Sequence, residues 1–198
     1  MRSLDLLQQF APEKINYDVS EILGDGADGQ VFSIKSDPST VIKYSILYDL
    51  DYSNQLNLKY SNIDKVFNFI KNNKNKAIAK IYDFGLLYKG VRTTTIGQQE
   101  YIIYFSTYEK LKKISEEEKK ALHSLLDFYE KNEKLEKVKN EMKVLSKYFD
   151  FNHEKYVDFY QNLCLLNFHH NDMHIRNIMK DESSNLKLID FDKSTIME

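Results

Sequence analysis

His170-Asn171-Asp172-Met173-His174-Ile175-Arg176-Asn177-Ile178-Met179, followed by Leu186-Lys187-Leu188-Ile189-Asp190-Phe191-Asp192, is the stretch that decides how this chain is read. Its first part sets a carboxylate, Asp172, and an amide, Asn177, in a polar loop, and its second delivers another carboxylate, Asp190, at the end of a short apolar strand. A hydroxyl nucleophile needs a carboxylate to take its proton, and Mg²⁺ takes hard oxygen ligands such as an Asp carboxylate and an Asn carbonyl. The same residues would also suit a polar turn whose Asp and Asn cap backbone groups.

Working outward, 198 residues with 42% hydrophobic and 29% charged side chains are globular values, enough for one domain or a two-lobed one. A net charge of −2 gives no electrostatic case for nucleic acid as the main partner. No apolar run approaches the ~18 residues of a membrane span, and Asp5, Gln8 and Gln9 argue against a leader. The single Cys164 lies in an apolar run, which predicts a buried core thiol and a cytoplasmic chain. Twenty-five Lys against three Arg, with many Asn, Ile and Tyr, look like the imprint of an AT-rich genome, as in intracellular bacteria or large DNA viruses. The cytoplasm is the expected compartment, and the host's cytoplasm if the source is a virus or an intracellular bacterium.

After a lead-in over residues 1 to 20 that Pro12 interrupts, alternating apolar positions flank Gly24-Asp25-Gly26-Ala27-Asp28-Gly29 and predict strand, turn, strand. A G-x-G-x-x-G also suits a dinucleotide fold, but that fold needs a helix after the last glycine, whereas Gln30-Val31-Phe32-Ser33-Ile34 is strand-like. Residues 36 to 39 read as a turn, and Thr40-Val41-Ile42-Lys43-Tyr44-Ser45 as the next strand. Leu56, Tyr60, Ile63, Phe67 and Ile70 recur at helical spacing, which predicts an amphipathic helix over about 50 to 72. Ala77 to Tyr88 reads as a strand ending in a hairpin at Lys89-Gly90, with Asp83-Phe84-Gly85 inside it, and Glu100 to Leu111 as a strand running into a connector.

From 112 onward the pattern turns helical. Ser115-Glu116-Glu117-Glu118 is a capping-box signature, with Leu122, Leu125, Leu126 and Tyr129 as the apolar face. A lysine- and glutamate-rich helix over 132 to 149 carries Leu135, Val138, Met142, Leu145 and Tyr148 on one side. Asn152 caps a third helix, about 153 to 167, whose Tyr156, Phe159, Tyr160 and Leu163 form a dense apolar face. That face needs either the 112 to 149 helices folded across it or another subunit, so a homodimer through this surface is one of two expected outcomes.

The order H-x-D-x-x-x-x-N then D-F-x, behind a glycine loop and a strand lysine, resembles the protein-kinase-like superfamily. The resemblance covers nearly the whole chain and implies an α+β, two-lobed fold: an antiparallel-sheet N-lobe over 1 to 110 and a shortened, mainly helical C-lobe over 111 to 198. It implies ATP and Mg²⁺ as cofactors, held by Gly24, Gly26, Gly29, Val31, Lys43 and a hinge at Tyr108 and Glu109, with Asn177 and Asp190 on the metal. Asp172 would be the base. His174, two places after it where ordinary protein kinases carry Lys, looks more like aminoglycoside-phosphotransferase-like and haspin-like kinases and small kinases of large DNA viruses; bracing the loop is its other role.

Two departures stand out. The helix Glu that pairs with the strand lysine in kinases is missing, since no Glu lies between Glu21 and Glu100; Asp64 is the favoured substitute, with Asp51 and Gln55 behind it. Only Lys193-Ser194-Thr195-Ile196-Met197-Glu198 follow the metal motif, which implies a minimal atypical kinase with no activation segment. The resulting expectation is a serine/threonine protein kinase with a protein substrate or activating partner. A pseudokinase acting as nucleotide-binding or scaffolding module and a small-molecule kinase of aminoglycoside or choline type stand beside it.

Overall fold

Val19–Asp25 (β1) and Gly29–Ile34 (β2) form the antiparallel pair that the alternation around the glycines calls for. They open a five-stranded antiparallel sheet with Asp37–Tyr48 (β3), Ile81–Thr94 (β4) and Gly97–Glu109 (β5), in the order β1-β2-β3-β5-β4. These strands and their helices come from a computed structural model that describes residues 18–26, 29–49, 55–95 and 97–197. The lead-in with Pro12, the loop residues Ala27 and Asp28, and Asp51 lie outside them. The architecture is α+β, and no described helix is long and apolar enough to cross a membrane.

The chain divides into two units, Met1–Lys71 with Lys80–Lys110, and Asn72–Ala79 with Leu111–Glu198. In the first, one sheet face buries Phe32, Ile34, Ile42, Tyr44, Ile46, Tyr101 and Ile103. The other carries the helix Leu56–Lys71 (α1), which buries Leu56, Ile63, Val66, Phe67 and Ile70. Phe84 of β4 stacks on Phe67 with ring centroids 4.4 Å apart and also meets Tyr60 and Tyr104. The Asp83-Phe84-Gly85 triplet is therefore part of a strand: Phe84 anchors the helix, and a Cβ on Gly85 would lie 3.0 Å from the Phe105 ring.

Three local expectations are corrected here. The turn expected over 36 to 39 is confined to Lys35-Ser36, because Pro38 is tolerated at the start of a strand where no ladder N–H is required. Lys89-Gly90 is not a hairpin turn but mid-strand; β4 runs on to Thr94, opposite Gly97. Gly90 is there for room, since a Cβ would come within 2.4 Å of the Tyr88 ring and 2.9 Å of the Tyr101 hydroxyl. Ala77 to Lys80 form no extended strand; Ile78 makes an isolated parallel bridge to Leu188, with Leu188 N–H donating to the Ala77 carbonyl.

The second unit contains Glu116–Glu130 (α2), Leu135–Leu145 (α3) and His153–Leu163 (α4), with the short pairs Phe168–His169 (β6) with Thr195–Ile196 (β9) and Ile178–Lys180 (β7) with Leu186–Leu188 (β8). Ser115 and Glu118 close the expected capping box, and Asn152 caps α4 by accepting from the Glu154 N–H. Tyr156, Phe159, Tyr160 and Leu163 are all buried within this unit. Tyr156 donates its hydroxyl to the Glu118 carbonyl at 3.4 Å, Tyr160 donates to that of Glu133, and Tyr129 meets the Tyr160 ring edge-on. Of the two expected covers for the α4 face, the chain's own helices supply it.

Two residues depart from the expected burial. Tyr148 is 76% exposed, because α3 ends at Leu145 and the chain turns before the apolar stripe reaches it. Cys164 is exposed rather than buried, at the C-terminal cap of α4, where the helix runs out into the surface.

Candidate functional site

The polar loop begins at His170, whose ring is 3% exposed and whose Nε2 donates to the Ile189 carbonyl at 2.8 Å. Burial pushes its imidazole pKa down, so near neutrality it is an uncharged strut. Asn171, in the left-handed region at φ 58°, donates its side-chain N–H to the Lys193 carbonyl and to the Thr195 hydroxyl. These bonds tie the entrance of the loop to the segment that follows Asp190.

Asp172 points one oxygen at Lys193, whose ammonium donates to Oδ2 at 2.9 Å, and the other toward His174 Nε2 at 3.7 Å. The Lys193 ammonium holds the Asp172 carboxyl below its usual range, which keeps it an acceptor across the physiological range. A short 3-10 turn, Ile175–Asn177, then brings Asn177 back. Its Nδ2 donates to the Asp172 carbonyl at 2.9 Å, and its own carbonyl accepts from the Ile189 N–H at 2.9 Å. Asp172, His174 and Asn177 are thus drawn together, and Asp190 follows Ile189, whose N–H bonds Asn177.

Asp190 itself has φ 65°, a conformation a non-glycine residue adopts at a cost and keeps where its surroundings enforce it. Here the enforcement is the pair of bonds at Ile189, whose N–H donates to the Asn177 carbonyl and whose carbonyl accepts from His170, together with Phe191, which is fully buried against the Phe168 and His170 rings. The buried Phe191 acts as a peg, and the carboxylate before it is turned out of strand phase.

The donor set suits Mg²⁺. With Asn177 Nδ2 committed to Asp172, its Oδ1 makes no hydrogen bond to any described residue, and an amide oxygen is a ligand that hard cations accept. No group of three His, Cys, Asp or Glu gathers around one point among the described residues, so Asn177 and Asp190 would contribute two oxygens. Mg²⁺ is characteristically held by one or two carboxylates, with substrate phosphates and water completing its shell.

The other expected site residues lie in the first unit. Gly24 pairs with Val31, Val31 with Lys43, Lys43 with Ser106, and Ser106 with Phe84, one continuous row across the sheet. Directly paired residues project to the same face, so Val31 and Lys43 share the face on which Phe84 meets α1. Asp64 on α1 accepts from the Asn68 side chain at 3.2 Å. Gly29 is needed by the sheet, since a Cβ would sit 2.2 Å from the Tyr44 carbonyl, whereas at Gly26 the nearest contact among the described residues is an ordinary 3.6 Å. Tyr108 is buried in the ladder, accepting from the Ser106 hydroxyl, and Glu109 is engaged with Lys80 through both its backbone N–H and its carboxylate.

Neither family models nor curated proteins yield a match to this chain. The residue the sequence reading passed over is Lys193. Its only signal there is a cation three places after Asp190, and nothing in the spacing shows that the chain folds it back onto Asp172.

Proposed function

We propose that the chain is an ATP- and Mg²⁺-dependent phosphotransferase of protein-kinase-like, two-lobed fold, a minimal atypical kinase acting on protein serine or threonine in the cytoplasm. The observation that carries this reading is the bonded circuit Asp172–Asn177–Ile189–His170, which holds a base and two hard oxygen ligands in one loop system. Asp172 accepts the proton of the attacking hydroxyl, and Lys193 and His174 orient its carboxylate. Asn177 Oδ1 and Asp190 hold Mg²⁺, which when bound neutralises charge on the transferring phosphoryl group. The amides around Gly24 and Gly26, with Val31 and Lys43 in the row behind them, hold the nucleotide. Tyr108 brings no free hydrogen-bonding edge to adenine, and Glu109 already bonds Lys80 through its backbone N–H, so their contribution is to shape.

Calorimetry with ATP, with and without Mg²⁺, followed by a phosphate-transfer assay, tests the reading. Metal-dependent binding with transfer to a hydroxyl supports it, and absence of nucleotide binding by the folded protein at millimolar ATP overturns it. A second reading, a nucleotide-binding scaffold, is favoured by α1, which offers Asp64 in place of a Glu; it predicts nucleotide binding without transfer.

A further inference from the structure

Three elements of the second unit meet around a cavity of about 230 Å³: the segment carrying Lys76 and Ala77, helix α4 through Lys155, Asp158, Phe159 and Asn162, and β8 with the residue before it through Asn185, Leu186 and Lys187. Its apolar wall is made by Ala77, Phe159 and Leu186, each 2% exposed or less. Its polar wall is lined by three lysines and a single acidic residue, Asp158. Such an excess of one sign in a recess raises the local concentration of counter-charge.

Two of the three lysines have no carboxylate partner among the described residues. Lys187, whose side chain is 15% exposed, donates to the Lys76 carbonyl at 2.9 Å and forms a long ion pair with Asp181 at 3.9 Å. Asp181 also accepts from the Asn185 backbone N–H at 2.8 Å and side-chain N–H at 2.9 Å, so its oxygens are shared between the cation and neutral donors. Lys155 donates to the Ser183 carbonyl, a neutral acceptor, and makes no ion pair with any described residue. Lys76 is exposed and its ammonium has no hydrogen bond or ion pair to any described residue. An ammonium carries three donors, so N–H groups remain on all three lysines for a guest.

We propose that this cavity is a binding site for a compact oxyanion of the phosphate type, free or carried on a small organic group, held by Lys76, Lys155 and Lys187 beside Phe159 and Leu186. Several ammonium groups around one small recess favour a tetrahedral dianion, whose oxygens accept several charge-assisted bonds at once. The volume admits a phosphate and a few carbon atoms and is too small for a nucleotide. None of its residues is among those assigned to phosphoryl transfer, so the site stands or falls independently of the proposed activity.

The test is titration of the full chain with inorganic phosphate at low ionic strength, followed by amide NMR shifts and calorimetry, with O-phosphoserine and chloride at matched ionic strength as separate arms. The expected result is saturable shifts at Ala77, Asn162 and Lys187, and a roughly tenfold or greater loss of affinity in Lys76→Glu, an exposed position where the fold is not at stake. Lys155→Gln is the second variant and should weaken binding in the same direction. Tighter O-phosphoserine than phosphate would identify a phosphorylated residue as the guest; the reverse order would identify free phosphate. Shifts confined to the residues around Gly26 and Lys43, equal affinity in wild type and Lys76→Glu, or chloride matching phosphate would each overturn the proposal.

Discussion

Asn177 donates its side-chain N–H to the backbone carbonyl of Asp172 at 2.9 Å, so one amide both sets the loop that carries the proposed base and leaves its oxygen for the proposed metal. The two duties are separable by substitution. Asn177→Asp keeps an oxygen ligand but loses the donor, and should lower kcat more than it weakens Mg²⁺-dependent nucleotide binding. Asn177→Ala loses both and should depress both. Equal effects of the two variants on binding and turnover would contradict the assignment.

Asp172→Asn should leave ATP affinity nearly unchanged while lowering kcat by roughly 10²- to 10⁴-fold, the usual contribution of a positioned base. Asp190→Asn should instead cut metal-dependent ATP affinity by roughly tenfold or more, because it removes a charged ligand from a hard cation. Calorimetry beside steady-state kinetics separates the two patterns.

The glycine loop divides in the same way. Gly29→Ala should destabilise the protein by about 2 kcal/mol or more, because its Cβ meets the Tyr44 carbonyl across the β2–β3 pair. Gly26→Ala meets nothing closer than 3.6 Å among the described residues and should leave the thermal midpoint in place while lowering ATP affinity. A Gly29→Ala protein as stable as wild type would show that β2 and β3 are spaced more loosely than described.

Acid should weaken the second unit through Glu118. Burial pushes its carboxyl upward, but bonds from Lys180 at 2.6 Å and from Ser115 outweigh burial and hold it below the usual value of 4.5. A folded pKa below the unfolded one means that the unfolded chain binds the proton first. The stabilisation is complete above about pH 4.5 and is lost as pH falls through the lower, folded value. Glu118→Gln should cost about 2 kcal/mol at neutral pH and flatten this acid limb in denaturant titrations from pH 7 to 3.

Phe159→Asp should unfold the second unit or cost at least about 3 kcal/mol, because it places a charge where a ring is 2% exposed. Light scattering on wild type should report a monomer across a concentration series. A folded Phe159→Asp protein that only loses self-association would instead point to the α4 face as an interface.

The strand pairs, the capping box and the cap of α4 were legible because each is signalled within a few residues: alternation about glycines for β1 and β2, Ser115 with Glu118, and Asn152 before an apolar run. The Lys89-Gly90 hairpin was misread because glycine marks both turns and close approaches, and the Tyr101 hydroxyl that decides between them is distant in sequence. Cys164 and Tyr148 were misplaced for a related reason. Helical spacing assigns a face only while the helix lasts, and each residue lies beyond the last turn. In the candidate site, Asp172, Asn177 and Asp190 were singled out by the motif order that resembles the kinase-like pattern, and the bond between Asn177 and the Asp172 carbonyl joins two of them. The Lys193 bond to Asp172 was not legible there, since it depends on Asn171 fastening the tail segment beside the loop.

The exposed thiol at the end of α4 gives the molecule a built-in attachment point. Cys164 is the only cysteine in the chain, so a maleimide dye or spin label will react at one defined position, at the C-terminal cap of α4. A label there reports on the helical unit without any engineered residue, and its emission or mobility during ATP titration becomes a direct optical readout of whether nucleotide is felt by that part of the molecule.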